Sequence, residues 1–158
     1  MAWKPDVTVA AIAERNGSFL VIEERARGRL VVNQPAGHLE DGETFLDAVV
    51  RETLEETAWT FVPEHLVGVY LWRPEHMKRT FLRVCFSGSL TAHDETQPLD
   101  KGIVRTRWLT REQIAAIQPR LRSPLVLRCV DDYLAGMRYP CEVLRHLIQE
   151  PTEIVASA

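Results

Sequence analysis

The sequence predicts a mixed α/β or α+β domain, a sheet covered by helices on its faces. Three observations lead there. Segments rich in β-branched and aromatic residues interchange with helical ones in the order strands, helix, strands, helices. Two helix starts, at Thr44 and Thr110, carry capping-box spacing with Asp47 and Gln113. The 158 residues are 46% hydrophobic and 26% charged, an ordinary globular composition. A chain of this length forms one domain that buries roughly 70% of its unfolded surface. Residues 1–158 are therefore read as a single domain, with a disordered tail expected over about 150–158.

Taken in order, Val7 to Ala13 alternate as a strand, which suits them better than an export signal of seven apolar residues behind a single Lys4. Asn16-Gly17 is a tight-turn signal and leads into Phe19–Ile22. Leu30–Val32 is extended and stops before Pro35. A helix is expected over Phe45–Thr57, with strands at Leu66–Trp72, Phe81–Leu90 and Val104–Trp108. Thr110 opens a second helix. Ser123-Pro124 opens a third, as N-cap and N1, running to about Gly136.

A net charge of −3 excludes a strongly basic nucleic-acid binder, and the apolar content excludes a disordered chain. No run approaches 18 apolar residues, so no membrane span is expected. Cys85, Cys129 and Cys141 form no C-x-x-C pair. An odd, scattered set reads as reduced thiols, which predicts a cytoplasmic protein.

The informative stretch is Gly37 to Glu56. At about 100° per residue, Glu52, Glu55 and Glu56 fall within one arc of the helix, while Leu46, Val49, Val50, Thr53, Leu54 and Thr57 lie opposite. One face can bury while the other presents three carboxylates. Carboxylates at that density raise one another's pKa values unless a cation joins them. Hard oxygen ligands suit Mg²⁺ or Mn²⁺, with water and substrate phosphate completing the shell. The Pro35-Ala36-Gly37 carbonyls can add an oxygen, and Arg51 can pair with Glu43 to hold the loop before the helix. A solvated acidic face is the plain alternative.

This stretch resembles the Nudix box: G, five residues, E, seven residues, R-E, two residues, E-E. Gly37, Glu43, Arg51, Glu52, Glu55 and Glu56 match all six of those positions. In a random chain of this length the odds are on the order of one in 10⁵. Thr53 stands for the usual aliphatic residue and Ala58 for the glycine that ends the helix, while Trp59 keeps the apolar class. The resemblance implies an α/β/α sandwich around a mixed sheet, and hydrolysis of phosphate anhydrides by a metal-activated water. It implies Glu52, Glu55 and Glu56 as metal ligands, one of which orients or deprotonates that water. Gly37 or Ala36 would give a backbone oxygen, and Arg51 and Glu43 would support them.

A closer likeness runs from about Pro5 to Leu144, through Asn33–Glu40, Phe81-Leu82-Arg83, Thr96-Gln97-Pro98, Arg107-Trp108, Leu121–Val126 and Arg138-Tyr139-Pro140. These segments are similar to a phosphatase subgroup of the family. That subgroup releases terminal phosphate from nucleoside tri- and diphosphates and acts on hydroxymethylpyrimidine diphosphate. Gln34 becomes a candidate substrate contact through this likeness. Val32 stands where the subgroup often has Trp, so a pocket wall is expected to differ. The implied partner is a small phosphorylated molecule, not nucleic acid or membrane, and the chain is expected as a monomer or homodimer. The competing readings are a pyrophosphohydrolase of modified nucleoside triphosphates or ADP-ribose, and a silent domain that senses a nucleotide. Isomerase chemistry on the same fold would need a pocket cysteine.

Single residues complete the picture. Asp100 lies where such enzymes bring a further acid to the metals, the alternative being a solvated loop residue. Arg122 and Ser123, at a helix N-terminus, can bind a phosphate, the equal alternative being that Ser123 caps the helix and Arg122 is solvated. Trp72 and Phe81 can stack on a base or can be core. Residues 37–59 sum to −6 and residues 101–128 to +6, an acidic cage and a basic segment that would suit a phosphate anhydride if they face each other.

Overall fold

Strand β1 (Asp6–Ile12) organises the chain, because its residues are buried on alternate sides by different helices. The computed structural model describes residues 2–148, and the tail expected at 150–158 lies outside them. Along the chain follow β2 (Glu14–Arg15), β3 (Ser18–Ala26), β4 (Arg29–Asn33), β5 (Ala36–His38), α1 (Phe45–Thr57), β6 (Trp59–Trp72), β7 (Phe81–His93), β8 (Ile103–Thr110), α2 (Arg111–Ala116) and α3 (Leu125–Leu134).

One sheet has the order β5-β1-β7-β6. It is mixed: β1 runs parallel to β7, with Val9 opposite Val84, while its other pairs are antiparallel. In the second sheet β3 pairs antiparallel with β2, β4 and β8. Val9, Ala11, Ala13 and Leu20 pack with Ala48 and Val49 of α1. Ala10, Ile12, Phe19 and Val21 pack with Val126, Cys129 and Val130 of α3. The strand period of two thus sends one set of side chains to each helix layer, and the result is the α/β/α arrangement the sequence predicts.

Local signals account for most boundaries. Asn16 (φ 51°) and Gly17 (φ 78°) both take positive φ, as a two-residue hairpin turn requires. Helix α1 has the expected bounds, and both arms of the Thr44–Asp47 capping box are formed. Thr110 and Gln113 cap α2 in the same way. The third helix differs by a residue. It begins at Leu125 after Pro124, and the Ser123 hydroxyl accepts from the Leu125 amide at 3.2 Å. Strand β6 begins at Trp59, seven residues before the expected Leu66. Bulges at Thr60/Phe61, Pro63/His65 and Leu66/Gly68 break its alternation and so hid it. Strand β5 is too short for a periodic signal.

The end of α1 is built from a distance. Ala58 closes the helix in the left-handed region (φ 60°, ψ 14°), where a glycine is favoured. The loop after β7 then satisfies the last carbonyls. Asp94 N donates to Ala58 O at 3.0 Å, Gln97 Nε2 to Leu54 O at 2.7 Å, and Asp100 N to Glu55 O at 2.9 Å. Thr53, at the aliphatic position, turns its hydroxyl onto Val49 O at 2.8 Å and so remains buried. Replacing Ala58 by glycine relieves the left-handed strain. Ala58→Gly is expected to raise stability by about 1 kcal/mol, or Tm by roughly 2–4 °C, read by urea and thermal denaturation.

Candidate active site

Glu52 and Glu56 lie on the buried stripe of α1, alongside Ala48, Val49, Thr53 and Thr57. This corrects the expectation of an acidic face turned away from the core, since only Glu55 of the three is partly exposed. The sheet makes room for them. The Glu52 carboxylate sits directly over Gly37 of β5, and a Cβ built there would fall 2.1 Å from its Cδ. Only glycine permits that approach. Glu56 Oε2 accepts from the Ala36 amide at 2.9 Å, so β5 grips the helix through both acids.

Arg51 locks the array. Its guanidinium pairs with Glu43 through Nε, and Nη2 donates to Glu43 Oε2 and His38 O, each at 3.0 Å. Nη1 donates to Glu52 Oε1 at 2.8 Å and Glu55 Oε2 at 3.1 Å. Glu43 also accepts from the Glu40 amide at 3.0 Å. The Arg51 hydrogen bond holds the Glu43 carboxyl below the usual range. One arginine therefore ties the loop, the strand and two helix acids together.

Ligand oxygens of Glu52, Glu55 and Asp100 lie within 4.8 Å of one another. The same loop hydrogen bond that caps α1 delivers Asp100 there. Backbone geometry decides between the two carbonyl candidates. Pro35 O accepts from Ala11 N, and Leu39 N donates to Val7 O, so Gly37 faces β1 while Ala36 and His38 point away from it. The His38 carbonyl on that free side reaches Arg51, and the Ala36 amide reaches Glu56. Ala36 is therefore the residue whose backbone oxygen is free on the helix side.

Electrostatics point to a cation. Burial raises the Glu52 pKa, with Arg51 opposing and Glu55 and Asp100 adding to the rise. Burial pushes Glu56 up to about 9, opposed by the Ala36 amide and aided by the Glu52, Glu24 and Asp100 charges. Hard oxygens packed this closely and this poorly neutralised suit a divalent ion. The residues present fit such a group.

Beside the cage opens a cleft of about 430 Å³, whose lining includes Glu52, Glu56, Gly37, Trp72, Arg122 and Ser123. Arg122 and Ser123 thus line the same cleft as Glu52 and Glu56. Gln34 does not. It is 1% exposed behind the wall, with Oε1 accepting from Arg83 and Nε2 donating to Cys85 Sγ, so its expected substrate contact is corrected to a supporting position. Val32 is likewise fully buried in the core and forms no pocket wall. The basic segment does not face the cage as a block. Arg105, Arg107 and Arg120 gather around the buried Glu23 of β3, Arg111 pairs with Asp131, and Arg128 with Asp132. Of the seven bases only Arg122 lines the cleft. The second cleft arginine is Arg83, which the sequence reading passed over. A charged residue in phase with Cys85 and Ser87, in a strand covered on both sides, was the available signal.

A layered α/β fold with a glycine-seated carboxylate helix beside a polar cleft defines a class. The chain belongs to the Nudix family: the family model described as the NUDIX domain matches residues 3–128. It is accordingly a hydrolase of the Nudix type. It is 42% identical to phosphatase NudJ of Escherichia coli K12 over 143 residues, covering 90% of this chain and 92% of that protein. A Nudix hydrolase from Nitrosomonas europaea superposes with a TM-score of 0.90 at 45% identity, over 93% of this chain and 100% of that one. The MutT protein of Methanosarcina mazei Go1 shares the fold (TM-score 0.68, 21% identity), over 87% of this chain and 100% of that one. Among the described residues, no helix is long and apolar enough to cross a membrane.

The Glu56 shift has a measurable sign. Between about pH 4.5 and 9 the native metal-free protein keeps a proton that the unfolded chain has released. Stability without metal should therefore fall as pH rises through that window. A cation needs the ionised carboxylate, so if a divalent ion such as Mg²⁺ binds these acids, the Tm increase it gives over EDTA should grow over the same range. Thermal denaturation at several pH values checks this, and a Mg²⁺ effect independent of pH would remove Glu56 from the cage.

Proposed function

We propose that this chain is a Mg²⁺-dependent phosphatase, with Mn²⁺ as a substitute. Its proposed substrates are nucleoside tri- and diphosphates, from which it releases terminal phosphate, together with hydroxymethylpyrimidine diphosphate. The observation that carries the reading is the Glu52, Glu55 and Asp100 cluster, with Glu56 beside it, at the edge of a cleft that Arg122 and Ser123 also line. The likeness to phosphatase NudJ over nine-tenths of the chain supports the choice of bond.

Glu52, Glu55, Glu56, Asp100 and the Ala36 carbonyl would hold the cation. Bound there, it supplies Lewis acidity, lowering the pKa of water and neutralising charge on phosphoryl oxygens. Arg51, through Glu43, Glu52 and Glu55, keeps the acids in register with β5. Arg122 and the Ser123 hydroxyl, which both line the cleft, bind substrate oxygens away from the acids. A carboxylate of the α1 set takes the proton as water attacks phosphorus. All of these groups come from one chain, so a monomer or a homodimer would serve. Three free cysteines accord with a reducing, cytoplasmic setting.

A substrate panel with Mg²⁺, scoring orthophosphate and pyrophosphate separately, tests the assignment. Orthophosphate from the terminal position is expected. Pyrophosphate from triphosphates, or two monophosphates from ADP-ribose, would instead make the chain a pyrophosphohydrolase. Nucleotide binding without turnover under excess Mg²⁺ would make it a sensing domain. Glu56→Gln should lower kcat by at least about 10²-fold with the fold intact. Undiminished turnover in that variant would refute the role of the cage.

A further inference from the structure

The floor of the cleft holds two polar side chains, each with one buried atom that the described residues leave without a partner. Arg83 of β7 and Thr8 of β1 are opposite one another in the parallel ladder and both line the cleft. Arg83 is 7% exposed and Thr8 is 6% exposed. Arg83 Nη1 donates to Gln34 Oε1 at 3.2 Å, but among the described residues its Nε has no hydrogen-bond partner, and neither has Thr8 Oγ1. A guanidinium buried without a hydrogen-bonded carboxylate works against stability. Gln34 is itself held on its far side by Cys85, so the arginine is aimed rather than stranded.

We propose that Arg83 and Thr8 form a recognition floor for the neutral heteroaromatic ring of the substrate, with acceptor atoms on the ring edge taking the two unpartnered donors. This rests on the phosphatase reading above and adds the group it recognises. Charge does not reserve this floor for a second phosphate. Outside the α1 acids, Glu24 and Glu40 line the cleft with Arg83 and Arg122, and Arg122 lies 3.8 Å from Glu24, so the lining around Arg83 carries no surplus of positive charge to hold an anion. A neutral acceptor needs none. The neighbouring wall is aromatic: Trp72 and Phe81 stack with centroids 5.6 Å apart and 26° between planes, and both line the cleft. An aromatic wall with two adjacent donors beneath matches a flat ring with edge acceptors. The cleft volume of about 430 Å³ is in the range of small-ligand sites.

The test is equilibrium binding in Mg²⁺, followed by tryptophan fluorescence, with cytidine 5′-monophosphate and inorganic pyrophosphate as the two probes. Arg83→Met and Thr8→Val nearly preserve shape. Each should weaken nucleotide binding roughly tenfold or more, as expected for a lost charge-assisted or buried hydrogen bond. Pyrophosphate binding should change far less. Equal losses for both probes would assign Arg83 to a phosphate, and no loss for either would make the pair structural; both overturn the proposal. Thermal denaturation supplies a second readout, since removing an unpaired buried charge should not lower Tm, whereas removing a structural arginine would. Selective nucleotide binding that persists in a chain showing no phosphatase turnover would sink the functional reading and leave this one standing.

Discussion

The site depends on a close approach: the Glu52 carboxylate lies against the α-carbon of Gly37. No other residue type allows α1 to settle this deeply on β5. Once it does, Glu56 reaches the Ala36 amide and Arg51 reaches the His38 carbonyl. The three contacts fix the helix along and around its own axis. Acids on the buried stripe are then held where a loosely packed helix could not keep them. Burial raises their proton affinity, and it is also what makes a cation the natural partner.

The rest of the fold serves that seat. Strand β1 sits between β5 and β7, so one ladder edge carries the β5 backbone that meets the α1 acids and the other carries Arg83. The α3 layer closes the opposite face and brings Arg122 and Ser123 to the mouth. Loop 94–100 follows the long β7 and returns to the end of α1, adding Asp100. The acids thus come from one local segment plus one distant loop, while the cleft also draws on β1, β3, β4, β6, β7 and the start of α3.

What could be read in advance follows the range of the interactions. Helix α1 was legible to the residue, because its cap is a local motif and its end a local change of conformation. The hairpin at Asn16-Gly17 was legible for the same reason. The spacing from Gly37 to Glu56 located the carboxylates but not their burial. That depends on the glycine seat, which appears only when β5 and α1 meet. The basic segment misled, since Glu23, far earlier in the chain, collects three of its arginines. Gln34 had the right neighbourhood and the wrong direction, its side chain being spent on Arg83 and Cys85. Arg83 itself was hidden by appearing in a strand where its charge has no sequence-local explanation.

The last turn of α1 carries Glu55 and Glu56 and no basic residue, at the end where carbonyl dipoles already sum to about half a negative charge. Lysine or arginine is the favourable choice there. In this one the loop amides of Asp94 and Asp100 satisfy the carbonyl hydrogen bonds but bring no positive charge, and Asp100 adds a further negative one. The pole is left for a cation to complete. A divalent ion at this position would play the part of a missing C-terminal lysine, and loading the ion and ordering the last turn become one equilibrium. Substitutions anywhere along α1 that loosen its final turn would then surface as weakened metal affinity rather than as an unfolded protein.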